Sequence, residues 1–333
     1  MSQQPNIDGV LIQWGDRLFY PGNRIIRVPP QPKLVANLAR RHAAAIRARI
    51  EATVVRRAPQ VMVKVTGGGR GMQAIVAHFR YISKNGRLDI EDERGETMHG
   101  KDALHELAED WRRGGTLIDD IAEPGQRREA FNIMLSMPRG TDPLIVQRAA
   151  REFAQAELAD HKYVMVLHDH QANPHVHISV RAESKHGKRL NPRKADLHRW
   201  RETFAAKLRD RGVEAEATRQ ASRGNSRNYE PLWRVKAGQD GRLLKTRARF
   251  KASPASVASR AEAVEAWNHI GKALAASGDP GDRSLAQAVA RFVRELPGAR
   301  SLNREIGTGF VPERTSLGGR TTSGDHGVCL PPP

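Results

Sequence analysis

Lys162-Tyr163-Val164-Met165-Val166-Leu167-His168 and His175-Val176-His177-Ile178-Ser179-Val180-Arg181-Ala182-Glu183 are two apolar, β-branched runs separated by Asp169-His170-Gln171-Ala172-Asn173-Pro174. That connection is too short for a crossover helix, so the two strands pair antiparallel. His175 and His177 lie two apart in a strand, and their imidazoles leave the same face. His168 ends the preceding strand, where the hairpin returns it beside them. Three imidazoles converging on one point make a metal-site geometry with positions open to water or substrate. The plainer alternative is a set of buried, hydrogen-bonded histidines, although buried polar groups seldom gather without partners. His170 is close enough to serve as an alternative ligand or as outer support. Asp169 is directed to the other side of the strand and stays outside the cluster.

Working outward, Ala130–Pro138 reads as a buried strand and Val61–Thr66 as another, the latter running into Gly67-Gly68-Gly69-Arg70-Gly71. Helical patterns follow at 72–86, ending on Asn85-Gly86, and at 101–113. The segment 89–96, Asp-Ile-Glu-Asp-Glu-Arg-Gly-Glu, reads as an acidic turn, and a linker is expected at Pro124-Gly125. A further helix begins at Pro143 with Asp142 as N-cap, and another spans 193–212, closed by Gly212. Strands alternating with helices predict a mixed α/β domain over roughly 60–220, and the antiparallel pair excludes a purely parallel sheet. Before it, 1–59 reads as a basic arm with one helix at 34–57, either a solvated cationic helix or an arm on nucleic-acid phosphates. After it, 236–333 reads as a basic extension with helices near 256–276 and 283–295 and a Gly/Ser/Pro tail that is expected to be disordered.

The 333 residues carry 55 Lys+Arg against 37 Asp+Glu, a net charge of +18. Such a potential favours a polyanionic partner, nucleic acid or an anionic membrane surface. No stretch approaches the ~20 apolar residues of a membrane span. The N-terminal residues lack a secretory pattern. The single cysteine, Cys329, excludes a disulfide framework and a cysteine-based zinc site. A soluble, cytoplasmic protein is expected. No GxxxxGK[ST] stretch is present, so no P-loop motor is expected. The Gly-rich run reads instead as a tight strand-to-helix turn through which backbone can approach DNA.

Tyr81 stands on the helix after that turn, and its basic neighbours Arg80 and Lys84 favour a phenolate and bring a phosphate close. A half-buried packing role is the plainer reading for one helical tyrosine.

Three stretches, in this order, resemble the relaxases, the DNA strand transferases of conjugative and mobilizable plasmids, in the branch that includes the T-DNA border endonuclease. Val63–Gly68 through Ala77–Gly86 looks like the nucleophile motif, Leu135–Thr141 like the middle motif, and His168–His177 like the histidine motif H-x-D-x-x-x-P-H-x-H. Ala217–Gly224 is similar to the segment that closes the domain. The resemblance covers about residues 60–235 and implies, for that domain, an α+β fold with a central antiparallel β-sheet flanked by helices. It implies a site- and strand-specific endonuclease in which Tyr81 attacks a phosphate and leaves a 5′-phosphotyrosyl adduct. His168, His175 and His177 would hold a divalent ion, Mg²⁺ or Mn²⁺, with Zn²⁺ as the alternative. Ser136 would position the strand, His170 would assist proton transfer, and Lys64, Arg70, Arg80 and Lys84 would contact DNA. Implied partners are single-stranded DNA at a transfer origin, a relaxosome accessory protein and a type IV secretion coupling protein, with export of the protein attached to transferred DNA. His170 stands where the family pattern has Asp, so acidic support for the imidazoles would have to come from Asp169, Asp89 or Glu91. A non-catalytic nucleic-acid-binding protein and a metal-dependent hydrolytic nuclease using bound water are the alternatives.

Overall fold

A computed structural model describes residues 6–20, 36–122, 127–171, 173–224, 240–242 and 254–296. Its centre is one sheet of six strands: β1 (Met62–Gly67), β2 (Ile90–Asp92), β3 (Thr97–Met98), β4 (Ala130–Ser136), β5 (His161–His168) and β6 (His175–Ser184). The spatial order is β1-β4-β6-β5-β2-β3, and every neighbouring pair runs antiparallel. The α+β class with a central antiparallel sheet is therefore as expected.

Eight helices accompany the sheet among the described residues, four of them packed on its faces. On one face α5 (Pro143–Glu157) and α6 (Lys194–Arg209) bury Phe153, Trp200 and Phe204 against Ile133, Leu135, Met165, Val176 and Ile178. The Asp142 carboxylate accepts from the Leu144 N–H, and Pro143 occupies the first turn of α5, where a missing N–H costs nothing. On the other face α3 (Met72–Ile82) and α4 (Gly100–Arg113) bury Phe79 and Trp111, packed edge to face, against Val164, Val166 and Ala130.

The register across the middle of the sheet decides which side chains share the open face. Met62, Ser136, His175 and His168 are successive neighbours across β1, β4, β6 and β5. The next row on the same face is Lys64, Met134, His177 and Val166. In the row after that, Asn132 opposes Ser179, which opposes Val164. Val164 and Val166 are covered by the helices, whereas Met62 and Lys64 are exposed and Met134 and Asn132 partly so. The helical layer thus roofs half of this face and leaves the β1–β4 half open.

Three local readings differ from the sequence. The acidic segment 89–96 contains β2, which pairs with β5 and β3 and buries Ile90, while Glu91 forms an ion pair with Arg151 of α5 that no local pattern announces. Helix α3 stops at Ile82 rather than at Gly86, and Lys84, Asn85 and Gly86 all take positive φ. The Ser83 hydroxyl holds this turn, donating to the Phe79 carbonyl and accepting from the Gly86 N–H. The Gly-rich run is the tight strand-to-helix turn expected, and its glycines also allow close packing: a Cβ on Gly68 would lie 2.2 Å from the Ala130 carbonyl oxygen, and one on Gly69 would lie 2.5 Å from Ile75. An additional helix, α1 (Ile7–Phe19), precedes the one expected at 34–57 and is capped by Asn6.

Helix α1, α2 (Ala36–Val54), α7 (Pro254–Ala275) and α8 (Pro280–Glu295) share a core built on Phe19, Ile46, Ile50, Trp267 and Phe292. The helices of the two flanks of the chain thus pack on each other. Gly15 lets α1 approach α2, since a Cβ there would meet Ile46 at 2.6 Å. Arg49 of α2 joins this layer to the sheet domain through Glu202 and Glu216. Trp267 donates to the Ser222 carbonyl and the Ser222 hydroxyl donates to the Leu18 carbonyl, which tightens the same joint. The linker at Pro124-Gly125, most of residues 225–253, the tail from 297 and Cys329 lie outside the described residues. Because Glu216 is buried, removing its partner strands a charge. Arg49→Ala should lower the unfolding free energy by about 3 kcal/mol in urea titrations; a loss under about 1 kcal/mol would show that the pair does not anchor the helical layer.

Candidate active site

Strands β5 and β6 bring His168, His175 and His177 together as the sequence predicts. Their rings are 4.7–5.0 Å apart centre to centre, and each offers a nitrogen within 4.8 Å of the others. All three are buried, with relative exposures of 4%, 6% and 7%.

Two of the rings are turned by backbone carbonyls. His168 Nε2 donates to the carbonyl of Ile82, the last residue of α3, at 2.6 Å. His175 Nδ1 donates to the Asn173 carbonyl at 2.9 Å. These contacts leave His168 Nδ1 and His175 Nε2 for another partner. His168 Nδ1 and His177 Nδ1 are buried without any hydrogen bond, a costly state for polar atoms unless something binds there. Burial pushes the His168 imidazole below its usual range, aided by the charges of His175, His170 and Lys84. Burial, with His168, His175 and His78, pushes His177 down to about 3. Both rings are neutral at pH 7, the form in which imidazole binds a metal. The donor set fits a metal ion.

Acidic support comes from none of the three expected carboxylates. Glu91 opposes Met165, on the other face of the sheet, and pairs with Arg151. Asp89 pairs with His99, and Asp169 is exposed. A carbonyl orients an imidazole in the same way as a carboxylate, with less charge.

Tyr81, in the last turn of α3, is 67% exposed, and its ring stands edge-on to His177 at 6.1 Å. His170 is exposed with its ring 5.1 Å from that of His168. Ser136 lies beside His175 in the register but is buried, and its hydroxyl turns to the carbonyls of Pro174 and Met137. The middle stretch also binds the histidine hairpin through Met137 N to the Pro174 carbonyl and Arg139 N to Asn173 Oδ1. Lys64 shares a row with His177, and Lys84 lies within electrostatic reach of His168. Arg70 and Arg80 are exposed.

Residues 81–213 match the family model for relaxases, described as MobA/VirD2-like, nuclease domain. This part of the chain is MobA/VirD2-like. The relaxase-like segment is 27% identical over 135 residues to the T-DNA border endonuclease VirD2 of Agrobacterium fabrum and 28% identical over 136 residues to that of Rhizobium rhizogenes. Each alignment covers 36% of this chain and 30% of the relative, so the chain matches about a third of those proteins. Among the described residues no helix is long and apolar enough to cross a membrane.

His78 is a member of the relaxase-like site that the sequence pattern did not reveal. It lies one turn before Tyr81 on α3, with its ring 6.3 Å from His177 and 6.1 Å from Tyr81. Its Nε2 is buried without a partner, and burial lowers its pKa to about 4. The i, i+3 spacing to Tyr81 was the available signal. Isothermal titration with Mn²⁺ alone should show one site, and His168→Ala or His177→Ala should weaken it at least about tenfold. Equal binding by the variants would separate the cluster from any metal.

Proposed function

We propose that the chain is a relaxase: it nicks one DNA strand at a transfer origin by transesterification to Tyr81. The observation that carries this reading is the exposed Tyr81 ring edge-on to His177, beside three buried imidazoles of which His168 and His177 keep an unpartnered nitrogen. In the proposed step the Tyr81 phenolic oxygen bonds to phosphorus and the P–O3′ bond breaks. The products are a 5′-phosphotyrosyl adduct and a strand ending in a 3′-OH. The phenolic proton leaves to His170 or solvent, and the departing 3′-oxygen takes one up.

His168, His175 and His177 would hold a divalent ion, which neutralises charge on the non-bridging phosphate oxygens when bound. Three nitrogen donors favour Mn²⁺ or Zn²⁺ over the oxygen-seeking Mg²⁺. Lys84 and Lys64 flank the cluster and would hold adjacent phosphates, with Arg70 and Arg80 further along the strand. The hydrogen bonds of Ser136 support a role in bracing the hairpin that carries His175. Single-stranded DNA at the origin is the partner on this reading. A relaxosome accessory protein and a type IV secretion coupling protein would act with it before the adduct is exported.

Incubation with single-stranded transfer-origin DNA and Mn²⁺, followed by a denaturing gel, tests the step. An SDS-resistant protein–DNA species should form and disappear in Tyr81→Phe, and His175→Ala should abolish cleavage. Cleavage without an adduct would favour hydrolysis by bound water, and binding without cleavage would favour a non-catalytic role. Affinity should fall steeply with salt, as counterion release requires, while cleavage of bound DNA changes far less. A parallel fall of both would contradict the separation of grip from chemistry.

A further inference from the structure

The open half of the sheet face carries a residue that the transesterification does not use. Asn132 sits in the interior of β4, between two paired strands, in a setting where asparagine is disfavoured. Its side chain is on the histidine face: Asn132 opposes Ser179, and the Ser179 hydroxyl donates to Asn132 Oδ1 at 3.3 Å. Ser179 and His177 are two residues apart on β6, so Asn132 lies about 7 Å along the sheet from the metal-ligand row. The side chain is partly exposed, and its Nδ2 has no hydrogen-bond partner among the described residues.

Ser179 therefore fixes which way the amide faces while leaving Nδ2 and the second lone pair of Oδ1 free. Beside it, Met134 is partly exposed and offers a polarisable surface on which a base can lie. Lys64, across from Met134, and Lys84, near His168, supply positive charge on either side of this floor. These features suit a DNA strand lying over the uncovered β1–β4 half.

We propose that Asn132 reads a nucleobase of that strand, an adenine about one to two nucleotides from the scissile phosphate. An asparagine amide donates to adenine N7 and accepts from its N6 amino group at once. The Ser179 hydrogen bond holds the amide in place before DNA arrives, which lowers the ordering cost of binding. The inference rests on the relaxase reading for its substrate, but it assigns a sequence preference that the nucleophile and metal do not provide.

Selection from a random single-stranded DNA library tests it through binding alone. Three proteins are compared in a Tyr81→Phe background: one with Asn132 kept, one with Asn132→Ala and one with Asn132→Asp. The first should enrich adenine about tenfold at one motif position. Asn132→Ala should lose that preference and keep the others. Asn132→Asp should move it to cytosine, whose N4 amino group a carboxylate accepts. An identical motif in all three proteins, no motif in the first, or equal decay at every position would overturn the proposal. With Tyr81 restored, absence of a covalent adduct alongside the adenine-to-cytosine switch would count against the nucleophile and leave the base reading standing.

Discussion

The hydrogen bond from His168 Nε2 to the Ile82 carbonyl joins the strand that carries the histidines to the last turn of the helix that carries Tyr81. The terminal carbonyls of a helix have no partner within it and carry partial negative charge. Here one of them takes the role a carboxylate plays in orienting a metal-binding imidazole. One contact thereby does two things. It turns His168 Nδ1 toward the cluster, and it sets the register of α3 on the sheet so that Tyr81 and His78 both face His177. The Ser83-stapled turn after Ile82 keeps that helix end in place and carries Lys84 over the site.

The sheet is used asymmetrically. Its other face is fully packed by α5 and α6 around Trp200 and Phe204, which gives the strands a rigid base. On the histidine face α3 and α4 cover the β5–β6 side and the Ala130 end of β4, so the cluster sits at the edge of a roof. Burial from the roofed side keeps His168 and His177 neutral. The open side leaves Tyr81, Met134 and Asn132 within reach of a strand. Sites held this way, on strands and a helix rather than on long loops, keep their geometry with little reorganisation.

The net charge of +18 is not spread evenly over the roles it suggested. Arg47 is bound to Asp8 and Asp282, Arg49 to Glu202 and Glu216, and Arg151 to Glu91. These cations tie layers together, and two of the three belong to the helix 34–57 that the sequence offered as a phosphate-binding arm. Lys64, Arg70, Arg80 and Lys84 remain exposed around the site. Composition alone assigns charge to a partner; pairing decides how much of it is free.

Much was legible in the chain because it depends on local spacing. The six-residue connection made β5 and β6 a hairpin, alternation put His175 and His177 on one face, and Asp142-Pro143 marked a helix start. The order of the motifs likewise resembles the relaxases independently of the fold. Other features were set by contacts between distant residues. The strand β2 forms by pairing with β5, some seventy residues on, and the N-terminal helices are held by α7 and α8 through a shared core. The carbonyl support of the histidines, the place of His78 and the alignment of Asn132 with Ser179 depend on strand register and helix docking. Local periodicity determines which side chains share a face, whereas only the packed structure determines which faces meet and which are left open.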